Sequence, residues 1–501
     1  MRLWPCALVA LLLGVAPVTV IAAPVSVRIT QGVLTGSSDG TIEIFKGIPY
    51  AQPPIGPLRW KPPLEALPWT SKRDASDFGP SCPQPGPPES IFPGSPASRR
   101  SEDCLTLNIW APAGADHLRP VMVWLHGGGD QTGSSADHFY DGTSFARDGI
   151  VLVSLNYRLG LLGFFAHPSL VEEAKPGDDI VNFGLMDQVA ALRFVQRNIA
   201  AFGGDPHNVT LFGESAGGLD AIALMTAPSA RGLFAKAIVE SAGFWANLTS
   251  LAVAEKQGAE VATQLGLPGA RASAAQLRAL PAERLVQVPD ADLPGPVVDG
   301  RFLPEAPVTA IADGHALDIP LIVGTNDDEG SLLGRGPASP SDVASDLTKD
   351  DLAALREDYG AAASGDDTFA RLLFRDRYFA APARWLAERQ TARAPVFLYR
   401  FGYVLGRLRA LRTGAGHGSE IPFVFASVSP DAGLLPADDA EIGAVHGCWV
   451  AFAKTGTPVC PSTPPWPIYV SPRDTMLFGD QNSVGAAPER SALRRLLIHD
   501  F

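Results

Sequence analysis

Ser215 stands between two glycines in the run Gly213-Glu214-Ser215-Ala216-Gly217, where a β-type segment ends and a helical pattern begins at once. A tight strand-to-helix turn crowds neighbouring backbones, so small residues are needed two before and two after the serine, and the turn lifts its hydroxyl above the sheet. Such a turn belongs to a strand feeding straight into a helix, the unit of a parallel sheet. The remaining pattern agrees. Leu105 to Trp110, Val121 to Leu125 and Ile150 to Leu155 read as buried strands. Gly184 to Ala201 carries apolar residues at helical spacing (Leu185, Val189, Leu192, Val195, Ile199) and leads into the strand Val209 to Phe212. Strands at Ala237 to Val239, Ile319 to Val323 and Val396 to Phe401 follow, with helical regions at Ala252 to Val286 and Asp350 to Gln390 between them. The expected fold is α/β: a mostly parallel central sheet flanked by helices, built as one domain over residues 24–501. No internal repeat is visible, and the proline-rich stretches Cys82 to Pro96 and Pro461 to Pro465 read as ordered surface loops.

A second motif narrows the chemistry. His126-Gly127-Gly128-Gly129 follows the strand Val121 to Leu125, where glycines let backbone N–H groups turn inward unobstructed. The amides of Gly128 and Gly129, with that of Ala216, would hold the developing negative oxygen of a tetrahedral intermediate, at roughly 3 to 4 kcal/mol per donor. A phosphate cradle is the alternative for a glycine loop, but the P-loop lysine and the dinucleotide spacing are missing.

A serine nucleophile needs a base, and in a serine-acid-histidine order four histidines follow Ser215. His315 precedes the best acids, His446 lies in an amphipathic helix that suits packing, and His499 is two residues from the C-terminus. His417 alone sits in a glycine loop, Gly414-Ala415-Gly416-His417-Gly418. The acid should emerge after Gly324, where Asp327, Asp328 and Glu329 compete, and spacing does not choose among them.

The first residues run from Arg2 through the apolar Leu8 to Val15 to small residues at Ala22 and Ala23, the layout of a cleavable export signal over residues 1–23. Gly14 and Pro17 interrupt that stretch, which is short for a membrane anchor. The chain is therefore expected to be secreted or periplasmic. Four cysteines remain beyond it, Cys82, Cys104, Cys448 and Cys460, and four allow three pairings. Proximity favours Cys82 with Cys104 and Cys448 with Cys460; two free thiols are the alternative for the second pair. A net charge of -13 argues against nucleic acid as a partner. No histidine or cysteine cluster has metal-ligand spacing, so neither metal nor cofactor is expected.

Taken together these motifs resemble the type-B carboxylesterase family, which includes cholinesterases and bacterial para-nitrobenzyl esterases. The segments that carry the likeness are Phe45-Lys46-Gly47-Ile48-Pro49-Tyr50-Ala51, Ser101-Glu102-Asp103-Cys104-Leu105, Asn156-Tyr157-Arg158, the run Phe202 to Gly218, Val298-Asp299-Gly300, and His417-Gly418-Ser419-Glu420-Ile421-Pro422-Phe423. The resemblance implies the α/β-hydrolase fold with helical insertions forming a gorge. It implies hydrolysis of small-molecule carboxylic esters through an acyl-enzyme, with Ser215, Glu329 and His417 as the triad. It also implies a Cys82 to Cys104 disulfide and makes Glu214 and Ser241 polar supports of the triad; it leaves Cys448, Cys460 and the oligomeric state open.

Two departures stand out. No tryptophan lies between Cys82 and Cys104, so the cation-π choline site of cholinesterases is not expected. Asp130 follows the glycine run where an apolar residue is usual, and Asp220 lies in the helix after the serine where a small one is common; both are expected to make the pocket more polar or anionic. The rival from another class is a binding protein on the same fold that has lost catalysis, and the filled triad positions argue against it.

Overall fold

The computed structural model describes residues 23–86, 99–114, 116–175, 177–288, 295–333, 342–429, 431, 433–486 and 490–500. The expected export signal lies outside the described residues apart from its final position.

Strands β1 (Ala23–Ile29), β2 (Gly32–Ser38), β3 (Ile42–Pro49) and β4 (Thr106–Pro112) are joined antiparallel, β1 to β2, β2 to β3 and β3 to β4. The sheet is then parallel through β5 (Arg119–Leu125), β6 (Val151–Leu155), β7 (Gly204–Glu214), β8 (Lys236–Glu240), β9 (Leu321–Asn326), β10 (Val396–Phe401) and β11 (Thr475–Phe478), with β6 joining β4 antiparallel. The hairpin strand β12 (Ser483–Gly485) closes the far edge antiparallel to β11. The spatial order is β1-β2-β3-β4-β6-β5-β7-β8-β9-β10-β11-β12, with the short strand Arg73–Asp74 beside β2. Every residue of β6 and β8 is buried, which is why these segments read as unbroken rather than alternating runs.

The alternation is still there, split between two cores. From β5, Val121, Val123 and Leu125 enter a core that also holds Leu185, Val189 and Leu192 of helix α1 (Phe183–Asn198). Met122 and Trp124 point to the opposite core, shared with Phe212, Ile238, Ile322 and the residues Trp449 and Phe452. Side chains two apart on a strand share a face, so one short strand anchors helices on both sides of the sheet.

The segments of family resemblance knit together around the upper edge of the sheet. Tyr50 donates its hydroxyl proton to the Asn156 carbonyl at 2.6 Å, and the Asn156 side chain accepts from Ser135 N at 2.8 Å and donates to the Pro80 carbonyl at 3.0 Å. Arg59 grips Glu102 with Nε and Nη2, next to a disulfide between Cys82 and Cys104 whose Cα atoms are 5.1 Å apart. A second disulfide joins Cys448, on the helix Pro436–Thr455, to Cys460 in the loop beyond, so the free-thiol alternative is not what the structure contains. The region expected to be helical from Ala252 to Val286 breaks into Leu251–Gln264, Ala274–Arg278 and Ala282–Leu285. No helix among the described residues is long and apolar enough to cross a membrane.

Candidate active site

β7 ends at Glu214 and helix α2 (Ala216–Thr226) starts one residue beyond Ser215, which is held at φ 56 and ψ -121. Positive φ strains a residue with a Cβ, and the surroundings fix it: Ser215 N donates to the Glu240 carbonyl at 2.9 Å. Gly217 has no alternative, because a Cβ there would meet the Leu125 carbonyl at the end of β5. A Cβ on Gly127 would stand 2.7 Å from Glu214 Oε2 and 3.0 Å from the Ser215 Cβ. The glycines thus let the loop after β5 lie directly on the serine turn. Among the described residues, the amides of Gly128, Gly129 and Ala216 have no acceptor. His126 is stacked on Tyr157 at 4.5 Å, Tyr157 donates to the His126 carbonyl at 2.7 Å, and burial pushes the imidazole down to about 4.

The three acids after β9 take three different places. Asp327 Oδ1 accepts from Ala415 N at 2.7 Å and pins the glycine loop. Asp328 pairs with Arg371 at 2.8 Å near the surface. Glu329 turns inward, fully buried, accepting from Asn326 N at 2.8 Å through Oε1 and contacting His417 Nδ1 at 2.6 Å through Oε2. Backbone direction decides this, since the chain leaves β9 into a 3₁₀ turn, Glu329–Leu332, that aims its first side chain at the loop of His417.

His417 Nε2 faces Glu214 Oε1 at 3.1 Å, an ion-pair separation without hydrogen-bond alignment. The hydroxyl of Ser215 makes no hydrogen bond to His417 among the described residues. The structure therefore joins His417 to Glu329 and sets its other nitrogen against the residue preceding Ser215. Phe379 packs edge-on to the imidazole at 5.3 Å from a single π-helical turn, Asp376–Ala380. A π turn adds one residue to the helix and re-aims the side chains that follow it.

Sequence reasoning gave no role to Glu240, Asn326 or Glu420. Glu420 follows His417 by three residues; Asn326 Nδ2 donates both to it and to the Gly416 carbonyl. Ser241 Oγ donates to Glu420 Oε1 at 3.4 Å and, among the described residues, makes no hydrogen bond to His417. Glu240 accepts from Trp449 Nε1 at 2.8 Å. A carboxylate three residues after a candidate histidine was the only signal of this in the sequence. His446 is packed as expected, Nδ1 2.7 Å from the Val424 carbonyl.

Burial, reinforced by neighbouring carboxyls, pushes Glu214 up to about 8 and Glu420 up to about 7, and Glu240 well above its ordinary value. For His417 burial acts downward, but Glu214 and Glu329, when ionised, outweigh it and raise the imidazole to about 10. Each of these groups binds its proton more tightly in the fold than in the unfolded chain. Stability is then fullest below the unfolded values and falls as pH climbs from about 4.5 through 8 for the carboxyls and from about 6.5 through 10 for the histidine. We expect the urea midpoint at pH 6 to exceed that at pH 9 by an amount equivalent to a few kcal/mol, with Glu214→Gln flattening the slope. A midpoint that rises between those pH values contradicts the electrostatics described here.

Asp130 and Asp220 do not line an open pocket, contrary to expectation. Both are almost fully buried, at 2% and 0% exposure, and their carboxyls face each other. No group of His, Cys, Asp and Glu among the described residues is arranged to hold a metal ion.

Known proteins match this chain over most of its length. The profile described as "Carboxylesterase family" covers residues 23–492. The para-nitrobenzyl esterase of Bacillus subtilis (strain 168) is 37% identical, over 93% of this chain and 97% of its own. The fumonisin B1 esterase of Sphingopyxis macrogoltabida is 37% identical, over 93% of this chain and 90% of its own. A solved structure titled PNB esterase superposes with a TM-score of 0.81 at 34% identity, covering 94% of this chain and 99% of that one. The fold is thus the α/β-hydrolase fold, and the chain belongs to the carboxylesterase family, whose members are carboxylic ester hydrolases.

Proposed function

We propose that Ser215 is the nucleophile of this hydrolase, with His417 as general base and Glu329 as the acid that orients it. The observation that carries the assignment is the 2.6 Å contact of Glu329 with His417 Nδ1, which leaves Nε2 directed at the turn bearing Ser215. Ser215 attacks the ester carbonyl while His417 takes its proton; the same proton goes to the departing alkoxide, and water then hydrolyses the acyl-enzyme with His417 again as base. Glu329 fixes the imidazole tautomer and stabilises the imidazolium. The amides of Gly128, Gly129 and Ala216 receive the oxyanion. Nε2 turns from Glu214 to the serine hydroxyl when substrate arrives, a tightening common in such sites. Glu214 holding its own proton favours that step, because it removes the largest upward pull on His417 and leaves the imidazole neutral, as a base must be.

Relatives named for fumonisin B1 and for para-nitrobenzyl esters match this chain at equal identity, so the reaction is assigned as carboxylic ester hydrolysis and the acyl and alcohol groups are left to substrate profiling. Two disulfides favour an oxidising compartment, secreted or periplasmic.

The test is hydrolysis of a short-chain para-nitrophenyl ester together with labelling by a serine-reactive organophosphate. Turnover with one label per chain, mapped to Ser215, is expected. A folded protein that shows neither reaction overturns the assignment and returns the chain to the binding-protein reading.

A further inference from the structure

The three amides assigned to the oxyanion come from two separate pieces of chain. Gly128 and Gly129 belong to the loop after β5, and Ala216 opens helix α2. A hole assembled from two pieces works only while they stay in register, since donors must reach the oxygen at about 2.7–3.1 Å. Asp130 is the next residue of the loop, and Asp220 lies in the second turn of α2. Their carboxyls meet across the junction.

What surrounds them explains the contact. Asp130 is held at φ 58, and its carbonyl accepts from Gly160 N at 2.6 Å, fixing where the loop leaves the hole. From α1, Gln188 Nε2 donates to Asp220 Oδ2. From the segment after β6, the Tyr157 oxygen stands beside the Asp130 carboxyl while its single proton is committed to the His126 carbonyl. His126 is the other titratable ring nearby, and burial keeps it neutral. Arg158 is bound to Asp187 at 2.7 Å and pairs with neither carboxyl. No lysine or arginine therefore neutralises the pair among the described residues. Asp130 Oδ1 and Asp220 Oδ1 are both buried without a donor. Two facing, uncompensated carboxylates repel strongly in such surroundings, whereas one retained proton converts the repulsion into an O–H···O hydrogen bond.

We propose that Asp130 and Asp220 share a proton and so staple the oxyanion loop to the nucleophile helix, and that losing this proton separates the two halves of the hole and sets an alkaline limit on turnover. The inference rests on the oxyanion assignment above. Burial pushes Asp130 up to about 7 and Asp220 well above its ordinary value, so the pair titrates in two steps and keeps its last proton beyond neutrality. Both aspartates are positioning residues: they touch the loop and the helix, not the ester.

The test compares kcat and KM against pH for the parent, Asp220→Asn and Asp220→Leu, with a para-nitrophenyl ester and with folding checked by near-ultraviolet dichroism. An asparagine amide donates to Asp130 at every pH. Asp220→Asn should therefore carry its activity about one pH unit or more further into the alkaline range, the shift a proton-independent donor produces. Asp220→Leu should lose roughly tenfold or more in kcat with little change in KM, because the oxyanion contact is made in the transition state. If the leucine variant does not fold, Asp130→Asn must move the alkaline limb in the same direction as Asp220→Asn. An unchanged limb in the asparagine variants overturns the staple while leaving the nucleophile assignment intact. A parent that is neither active nor labelled at Ser215 instead overturns the assignment on which the staple rests.

Discussion

Ser215→Ala is expected to lower kcat toward a short-chain para-nitrophenyl ester by roughly 10⁴- to 10⁶-fold, with KM nearly unchanged. The loss is large because the covalent route disappears: His417 has no hydroxyl to deprotonate, and Glu329 then orients a base with nothing to activate. It stops short of the uncatalysed rate because the amides of Gly128, Gly129 and Ala216 still receive the oxyanion of direct water attack. The substitution is mild for the fold, since alanine bears the positive φ of 56 no worse than serine and the Ser215 N–H keeps its bond to the Glu240 carbonyl. Single-turnover assays on protein freed of parent contamination make the comparison. A residual kcat above about one per cent of the parent means that Ser215 is not the nucleophile.

Asp187→Ala is expected to destabilise the chain by roughly 3–5 kcal/mol, the cost of stranding a buried charge. Asp187 is fully buried on α1 and receives Arg158 through Nε and Nη2, each at 2.7 Å, and through the Arg158 backbone N–H at 3.1 Å. Arg158 keeps two further anchors, donating to the Lys61 carbonyl at 2.9 Å and to the Phe183 carbonyl at 3.5 Å, neither of which neutralises it. Removing the carboxylate leaves a guanidinium of 4% exposure without a counter-charge. The damage reaches the site because the next residue upstream, Tyr157, supports the His126 carbonyl at the root of the oxyanion loop. Urea unfolding followed by tryptophan fluorescence should show the midpoint falling, and Asp187→Asn, which keeps hydrogen-bond acceptance but not charge, should fall less. Equal midpoints for parent and Asp187→Ala show the pair to be energetically silent.

The elements legible in the sequence were those fixed by neighbours along the chain. The strand-turn-helix around Ser215, the glycine loop after Leu125 and the unbroken strands Val151–Leu155 and Lys236–Glu240 all follow from side-chain size and period within a few residues. For the same reason His417 stood apart from the other late histidines: its glycine loop is a local feature. Cys82 and Cys104 were paired by proximity, and the structure joins them.

What sequence left open depended on direction in space. Asp327, Asp328 and Glu329 are consecutive and chemically alike, and only the turn after β9 sends one to Ala415, one to Arg371 and one to His417. The roles of Glu240, Asn326 and Glu420 rest on contacts among β8, β9, the loop after β10 and the helix Pro436–Thr455, whose spacing along the chain carries no signal beyond the carboxylate three residues after His417. Asp130 and Asp220 were visible as departures, yet their direction was misjudged: ninety residues apart in sequence, they meet only because α2 packs beneath the loop after β5. Local sterics and period belong to the sequence itself, whereas the charge state of a buried carboxyl is set by what the fold places against it, and that is decided in three dimensions.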